Sequence, residues 1–441
     1  MYEGFRFWCG ALFHVCLSVT PVGCAGPTKV PMSSQEIPVV PSTRVSPVSV
    51  QSVPIRPGTL TSLGSERPPA APLAYSQLYG SANQQSHGMI SVPAVSLAVS
   101  REIELFPETE TRGLLATRNR ILVLGRVWQL YDRSGQRLQH ALSGPGAVVF
   151  DEAGEAVLAI DATSALRRYS AETGQLEFRV GAGRGESIDY TFIGGYGSTY
   201  LLAGPERSLD PHGRTPPRTS YLQMFKAAAP YLLDDDHLLQ ATQDEQDWIL
   251  PGPLLVSAAR PAGCVFARRD QLLVTDPELS GVRAFSGAFV PKALSVDSRG
   301  TSHLLVETER GARYWRVEAG GSLSVNFALP APIGSSPVPP IFTADGRTVL
   351  QLDHRIVILD TEGNPLASIA VGSGAARWVA QPDGTGLLTD GGSLLRFDTD
   401  LKSEPLFTLA SGSFAGPALA LDTRTVVVVT ETSLLFLETK K

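Results

Sequence analysis

Cysteine and charge are both scarce in this sequence. The chain has four cysteines in 441 residues, and Asp, Glu, Lys and Arg together make up 18% of it, against about 25% in an average protein. The formal net charge is −6 and no basic block occurs, which argues against nucleic acid as a partner. Beyond the first two dozen residues, no uncharged apolar run reaches the roughly 18 residues that a membrane-spanning helix needs.

The motifs of common enzymes are missing as well. The chain has no G-x-S-x-G nucleophile elbow, no H-E-x-x-H zinc motif, no phosphate-binding P-loop and no C-x-x-C pair. The nearest approach to a phosphate loop, residues 181–185, is followed by no helix pattern, so a connection between strands is the better interpretation. We therefore expect no cofactor and assign no catalytic residue.

One acidic cluster has the chemistry of a weak candidate site. Carboxylate oxygens can bind Ca²⁺, and a His beside carboxylates can act in acid–base catalysis. The candidate metal ligands are Asp234, Asp235, Asp236 and His237, followed by Asp244, Glu245 and Asp247. Their spacing matches no calcium loop, and a solvated acidic loop explains the same residues.

The first 23 residues are predicted to be a secretory signal peptide. One basic residue, Arg6, precedes an apolar stretch over residues 7–19, which is too short to span a bilayer. Its end, Val22-Gly23-Cys24, resembles the lipobox of bacterial lipoproteins, in which the Cys thiol carries lipid. The resemblance implies a lipid-anchored protein of the bacterial cell envelope, in the outer membrane or periplasm, with membrane lipid as a partner. The alternatives are a conventional signal peptide and a cytoplasmic protein with an unusual N-terminus.

This processing would account for most of the cysteines. Cys9 and Cys16 would leave with the signal peptide and lipid would occupy Cys24, so that Cys264 remains alone. A single thiol cannot form an internal disulfide, and the folded domain must be stabilised by its core. Cys264 stands in an apolar string and is predicted to be buried and unreactive.

Residues 24–94 are predicted to comprise the lipidated Cys and a disordered Pro/Ser-rich linker. Between residues 25 and 94 the chain holds 11 of its 33 prolines and only six charged residues. Such a segment buries too little apolar surface to offset the conformational entropy lost on folding. The linker would hold the following domain away from a membrane.

Residues 95–441 read as short apolar strands separated by turns. Asp345, Asp383 and Asp422 mark equivalent turns that are 38 and 39 residues apart. A period near 39 residues with four strands per unit is typical of a β-propeller. The predicted fold class is therefore all-β, a propeller of seven or eight four-stranded blades. Its units begin near residues 110, 146, 187, 251, 288, 335, 373 and 414.

Two of these units are irregular. In the third, a Pro-rich loop precedes residues 221–229, for which a short helix is one interpretation. The last unit ends after three strands, while residues 95–106 alternate like a strand and belong to no unit. We expect this segment to be the outer strand of the last blade, because a ring must close or leave an exposed edge.

The hairpins of this region resemble those of bacterial propellers of the quinoprotein-like and YVTN type. The turns at residues 132–135, 172–175 and 360–363 carry the resemblance. We favour a binding or scaffold module with a protein or polysaccharide partner on one propeller face. The alternative is an enzyme, either a quinone-dependent dehydrogenase or a metal-dependent hydrolase such as a lactonase, with its site at the central channel.

Overall fold

The computed structural model describes residues 74–75, 88, 90–142, 147–151, 154–160, 165–180, 192–196, 199–205, 219–226, 247–251, 254–260, 263–275, 282–297, 299–334, 337–372 and 376–440. All of them belong to one unit, Thr59–Lys441. The predicted signal peptide, Cys24 and most of the predicted linker lie outside the described residues. No helix in the described part of the chain is long and apolar enough to cross a membrane.

The described strands of the N-terminal half form four blades, preceded in sequence by two further strands. The preceding strands are β1 (Ala74–Tyr75) and β2 (Leu97–Glu104). Blade 1 contains β3 (Gly113–Thr117), β4 (Arg120–Leu124), β5 (Val127–Asp132) and β6 (Arg137–Leu142). Blade 2 contains β7 (Val148–Phe150), β8 (Ala156–Ile160), β9 (Leu166–Ser170) and β10 (Leu176–Val180). Blade 3 contains β11 (Phe192–Tyr196), β12 (Thr199–Pro205), β13 (Thr219–Lys226) and β14 (Asp247–Pro251). Blade 4 contains β15 (Leu254–Arg260), β16 (Gly263–Arg268), β17 (Gln271–Thr275) and β18 (Val282–Ser286).

The C-terminal half forms four more blades. Blade 5 contains β19 (Val290–Val296), β20 (Ser302–Thr308), β21 (Gly311–Val317) and β22 (Leu323–Ala328). Blade 6 contains β23 (Ile341–Phe342), β24 (Thr348–Leu352), β25 (Arg355–Leu359) and β26 (Pro365–Ala370). Blade 7 contains β27 (Arg377–Ala380), β28 (Gly386–Asp390), β29 (Ser393–Phe397) and β30 (Ser403–Thr408). Blade 8 contains β31 (Leu419–Ala420), β32 (Thr425–Val429) and β33 (Ser433–Thr439), together with β2.

The described strands pair into eight antiparallel sheets, one per blade, and this is the β-propeller that the 39-residue period predicts. Of the two blade counts predicted from the sequence, eight is the one observed. One 3-10 helix, Pro107–Thr109, lies between β2 and β3. The central strands are rich in Val, Ile and Leu because each blade is covered on both faces by its neighbours.

The last blade takes its outer strand from the start of the propeller chain. β2 pairs antiparallel with β33, from Leu97 opposite Thr439 to Glu104 opposite Ser433. This is the pairing that the sequence predicts for residues 95–106. A core cluster that includes Leu114 of blade 1 and Val427 of blade 8 continues across the same junction. The first and last blades are therefore joined by backbone pairing and by packing.

Blade 3 corrects one interpretation of the sequence. Residues 219–226 form the strand β13, so the helix considered for residues 221–229 is wrong over the part that is described. Leu222 pairs with Ala203 of β12 on one side and with Trp248 of β14 on the other. The apolar residues of this segment follow no clear period in the sequence. The nonlocal pairings with β12 and β14 determine that it is a strand.

The end of the predicted linker contacts the propeller. The N–H of Gly88 donates to the carbonyl oxygen of Ala380 in β27 at 2.6 Å. Val92 is 1% exposed, and its N–H donates to Oε1 of Gln381 at 2.7 Å. The described chain thus packs on blade 7 before residue 95, because specific hydrogen bonds hold a segment whose composition alone predicts disorder.

Candidate functional site

A cleft of about 450 Å³ lies between blades 5 and 6. The cleft opens at one end of the blades. This end carries the turn between the first and second strands of each blade and the turn between its third and fourth strands. Its size is within the range of ligand sites. The residues that line it are Asp297, Arg299, Thr301, Arg316, Glu318, Phe342, Ala344, Asp345, Gly346 and Thr361.

Asp297 forms the floor of the cleft from the first turn of blade 5. Its Oδ1 accepts hydrogen bonds from the N–H groups of Arg299 and Thr301, both at 2.9 Å, which is how a short acidic side chain closes such a turn. Burial tends to raise the pKa of Asp297, but the facing imidazole of His303 and the hydrogen bonds from these N–H groups outweigh burial and hold the pKa below its ordinary value. Asp297 is therefore a buried carboxylate that carries its charge at neutral pH.

A buried polar chain stands behind Asp297. Nε2 of His303 lies 3.5 Å from Oδ2 of Asp297, and Nδ1 of His303 lies 2.7 Å from the hydroxyl oxygen of Tyr314. A carboxylate can only accept, so the proton belongs on Nε2, and the Tyr314 hydroxyl donates to Nδ1. Burial raises the pKa of Tyr314 to about 12, and a hydrogen bond from the Thr348 hydroxyl of blade 6 opposes this rise.

Blades 6 and 7 have aliphatic residues where blade 5 has the histidine of this chain. His303 follows the turn glycine Gly300 by three residues, and the matching positions after Gly346 and Gly384 are Val349 and Leu387. These aliphatic residues are 1% exposed. A buried polar group costs free energy unless it is hydrogen-bonded, so a His at this position requires the partners that blade 5 supplies.

The rim of the cleft carries both signs of charge. Nε of Arg316 lies 3.6 Å from Glu318, and its Nη1 donates to the carbonyl oxygen of Thr361 in blade 6 at 2.7 Å. Across the cleft, Nε of Arg347 lies 2.9 Å from Oδ2 of Asp345. Arg316 thus ties the two blades together, and the paired charges present donors and acceptors to a ligand.

The burial of His303 determines which groups a molecule in the cleft can meet. His303 is 0% exposed, so a molecule in the cleft meets the Asp297 carboxylate and the charged rim but not the imidazole. The His303–Tyr314 pair fixes the position of Asp297 from behind. The cleft can therefore accept hydrogen-bond donors and cations at its floor and both charge signs at its rim.

The candidate residues from the sequence are not among the residues that line this cleft. Asp234, Asp235, Asp236 and His237 lie outside the described residues, as do Cys24 and the loop at residues 181–185. In the part of the chain that is described, no three His, Cys, Asp or Glu side chains group as metal ligands. Cys264 is 0% exposed in β16, as its apolar surroundings predict.

Sequence reasoning missed His303 and Tyr314. His303 is a polar residue at a repeat position that is aliphatic in blades 6 and 7. This difference is visible only when the blades are aligned by their turns. His303 stands alone in the sequence, because its partners Asp297 and Tyr314 belong to other strands and turns.

Comparison with solved structures identifies the fold. The chain is similar to a quinohemoprotein alcohol dehydrogenase from Comamonas testosteroni, with a TM-score of 0.57, 9% identity and coverage of 84% of this chain and 81% of that one. It is also similar to Sqt1 of Saccharomyces cerevisiae, with a TM-score of 0.55, 9% identity and coverage of 80% and 100%. The computationally designed protein Ika8 gives a TM-score of 0.52 at 11% identity, with coverage of 79% and 100%.

These neighbours support a β-propeller fold. At such low identity they show the fold alone. No family model matches the sequence, and no curated protein does.

Proposed function

We propose that this chain is an exported, lipid-anchored β-propeller that binds a partner protein through the cleft between blades 5 and 6. The observation that carries the proposal is the cleft itself, with a charged rim and a carboxylate floor that Arg299 and Thr301 hold in place. A rim with charges of both signs complements a protein surface, which also carries charges of both signs. The signal-like segment and Val22-Gly23-Cys24 support export and anchoring.

Photo-crosslinking in intact cells tests the binding site. A photoreactive phenylalanine at Ala344, in the cleft, is expected to give a discrete protease-sensitive adduct. The matched control is Glu309, an exposed residue in the turn at the opposite end of blade 5. Equal adducts from both positions would contradict the site, and an adduct sensitive only to glycosidases would replace the protein partner by a polysaccharide.

The same cells test the anchor. The wild-type protein is expected to partition into detergent with the membranes and to incorporate a labelled fatty acid, because the Cys24 thiol would carry the lipid. Cys24→Ser is expected to lose both properties, whereas Cys264→Ser keeps them, since Cys264 is buried in β16. Unchanged labelling of Cys24→Ser would overturn the anchor and leave the crosslinking result standing.

A further inference from the structure

The first strands of blades 1 and 7 both hold part of this chain's own N-terminal segment. In a propeller the first strand of a blade is the one beside the central channel. β3 of blade 1 pairs with β4 on one side and with β1 on the other, so that blade 1 has a fifth strand at its channel edge. Ala74 is opposite Thr117, and Tyr75 is opposite Ala116.

Blade 7 is contacted in the same manner a few residues later. The N–H of Gly88 donates to the carbonyl oxygen of Ala380, the last residue of the first strand β27. A Cβ at Gly88 would lie 3.4 Å from Cγ1 of Val379 and 3.5 Å from Nε2 of Gln381, so the backbone at Gly88 lies directly on this strand.

Side chains of blade 7 then bind both backbone polar groups of one residue, Val92. Oε1 of Gln381 accepts from the N–H of Val92 at 2.7 Å, and Nε of Arg396 donates to the carbonyl oxygen of Val92 at 2.8 Å. The N–H of Asp383 donates to Oγ of Ser91 at 3.2 Å. Such contacts recognise extended backbone more than any particular side chain.

From these two contacts we infer that the channel edge of β3, together with β27, Gln381 and Arg396, is a binding site for an extended peptide. Residues 74–75, 88 and 90–92 are its resident ligand, bound within the chain. Addition of a strand to a free sheet edge is a common mode of peptide recognition. Within the described residues, the resident strand pairs with Ala116 and Thr117 of β3. A partner peptide that pairs along more of β3 can therefore take its place.

This site is distinct from the cleft between blades 5 and 6. It uses different residues, and it holds whether or not the chain is exported or anchored. It also assigns a ligand class to the channel side of blades 1 and 7, namely extended polypeptide.

Hydrogen exchange in the full chain tests the site. Ala74→Pro/Tyr75→Pro removes two backbone N–H groups, and the amides of β3 are expected to exchange about tenfold faster, because part of that edge loses its partner. Ala74→Val/Tyr75→Val keeps the N–H groups and is expected to exchange like the wild type. Unchanged protection of β32 in both variants shows that the fold is intact.

A synthetic peptide of residues 70–92 completes the test. Added to the proline variant, it is expected to restore protection of β3, while the same peptide with proline at positions 74 and 75 is not. The proposal is overturned if the two variants exchange alike at β3, if neither peptide restores protection, or if both peptides restore it equally.

Discussion

At the scale of single residues, the main finding is a buried carboxylate kept ionised by its neighbours. Asp297 is 6% exposed, accepts two N–H hydrogen bonds and faces Nε2 of His303. Its lowered pKa means that the folded state prefers the ionised form more than the unfolded chain does. The resulting stabilisation is fully present above the ordinary pKa of Asp and is lost as the pH falls through the lower folded-state pKa.

Asp297→Asn is expected to remove this contribution. At pH 6 the free energy of unfolding should fall by about 2 kcal/mol, the usual size for hydrogen bonds to a buried charged group. The gap between wild type and variant should narrow as the pH falls below about 4, because the wild-type carboxylate is then protonated. Urea unfolding between pH 3 and pH 6 measures both effects.

The matched control is Asp400→Asn, which changes an exposed carboxylate. Its stability is expected to follow the wild type at every pH. A constant difference between Asp297→Asn and the wild type down to pH 3 would show that the Asp297 charge does not stabilise the fold.

At the scale of elements, the turns determine how neighbouring blades pack. Gly363, in the turn after β25, has φ +89°, a conformation that favours glycine. A Cβ at this position would lie 2.7 Å from Cγ1 of Val325 in β22 of blade 5. The turn of one blade is therefore pressed against the outer strand of the blade before it.

Gly363→Ala and Gly311→Ala separate backbone strain from this packing. Gly311 has φ +94°, and a Cβ there would meet nothing within 4 Å. Gly311→Ala is expected to cost about 1–2 kcal/mol of backbone strain, and Gly363→Ala a further 1–3 kcal/mol or so of overpacking. Thermal unfolding measures the difference in stability between the two variants. This difference should become smaller when Val325→Ala is combined with Gly363→Ala. Equal losses for the two alanines would contradict the packing.

The same elements show what could be predicted from the sequence. The turns at Asp345, Asp383 and Asp422 repeat regularly, and blades 6, 7 and 8 follow them closely. In blade 3, β13 was ambiguous, because its apolar residues follow no clear alternating period and its pairing partners define it as a strand. The cleft could not be predicted, since it brings together Asp297 and Arg316 of blade 5 with residues of blade 6 that are distant in sequence.

At the scale of the whole molecule, the N-terminal segment does two things to the ring. It supplies β2 as the outer strand of blade 8, and just before β2 it is held on blade 7 through Gly88 and Val92. An eight-bladed ring without β2 would expose the edge of β33 and part of its core. The stability of all eight blades should therefore depend on residues that precede the first blade.

Thermal melting of two shortened chains tests this closure most directly. A chain of residues 88–441 keeps β2 and the contacts on blade 7, and it is expected to melt as a single transition. A chain of residues 112–441 lacks β2 and is expected to melt about 5 °C lower or more, and to aggregate through the exposed edge of β33. Equal melting temperatures for the two chains would contradict a ring closed by its N-terminal strand.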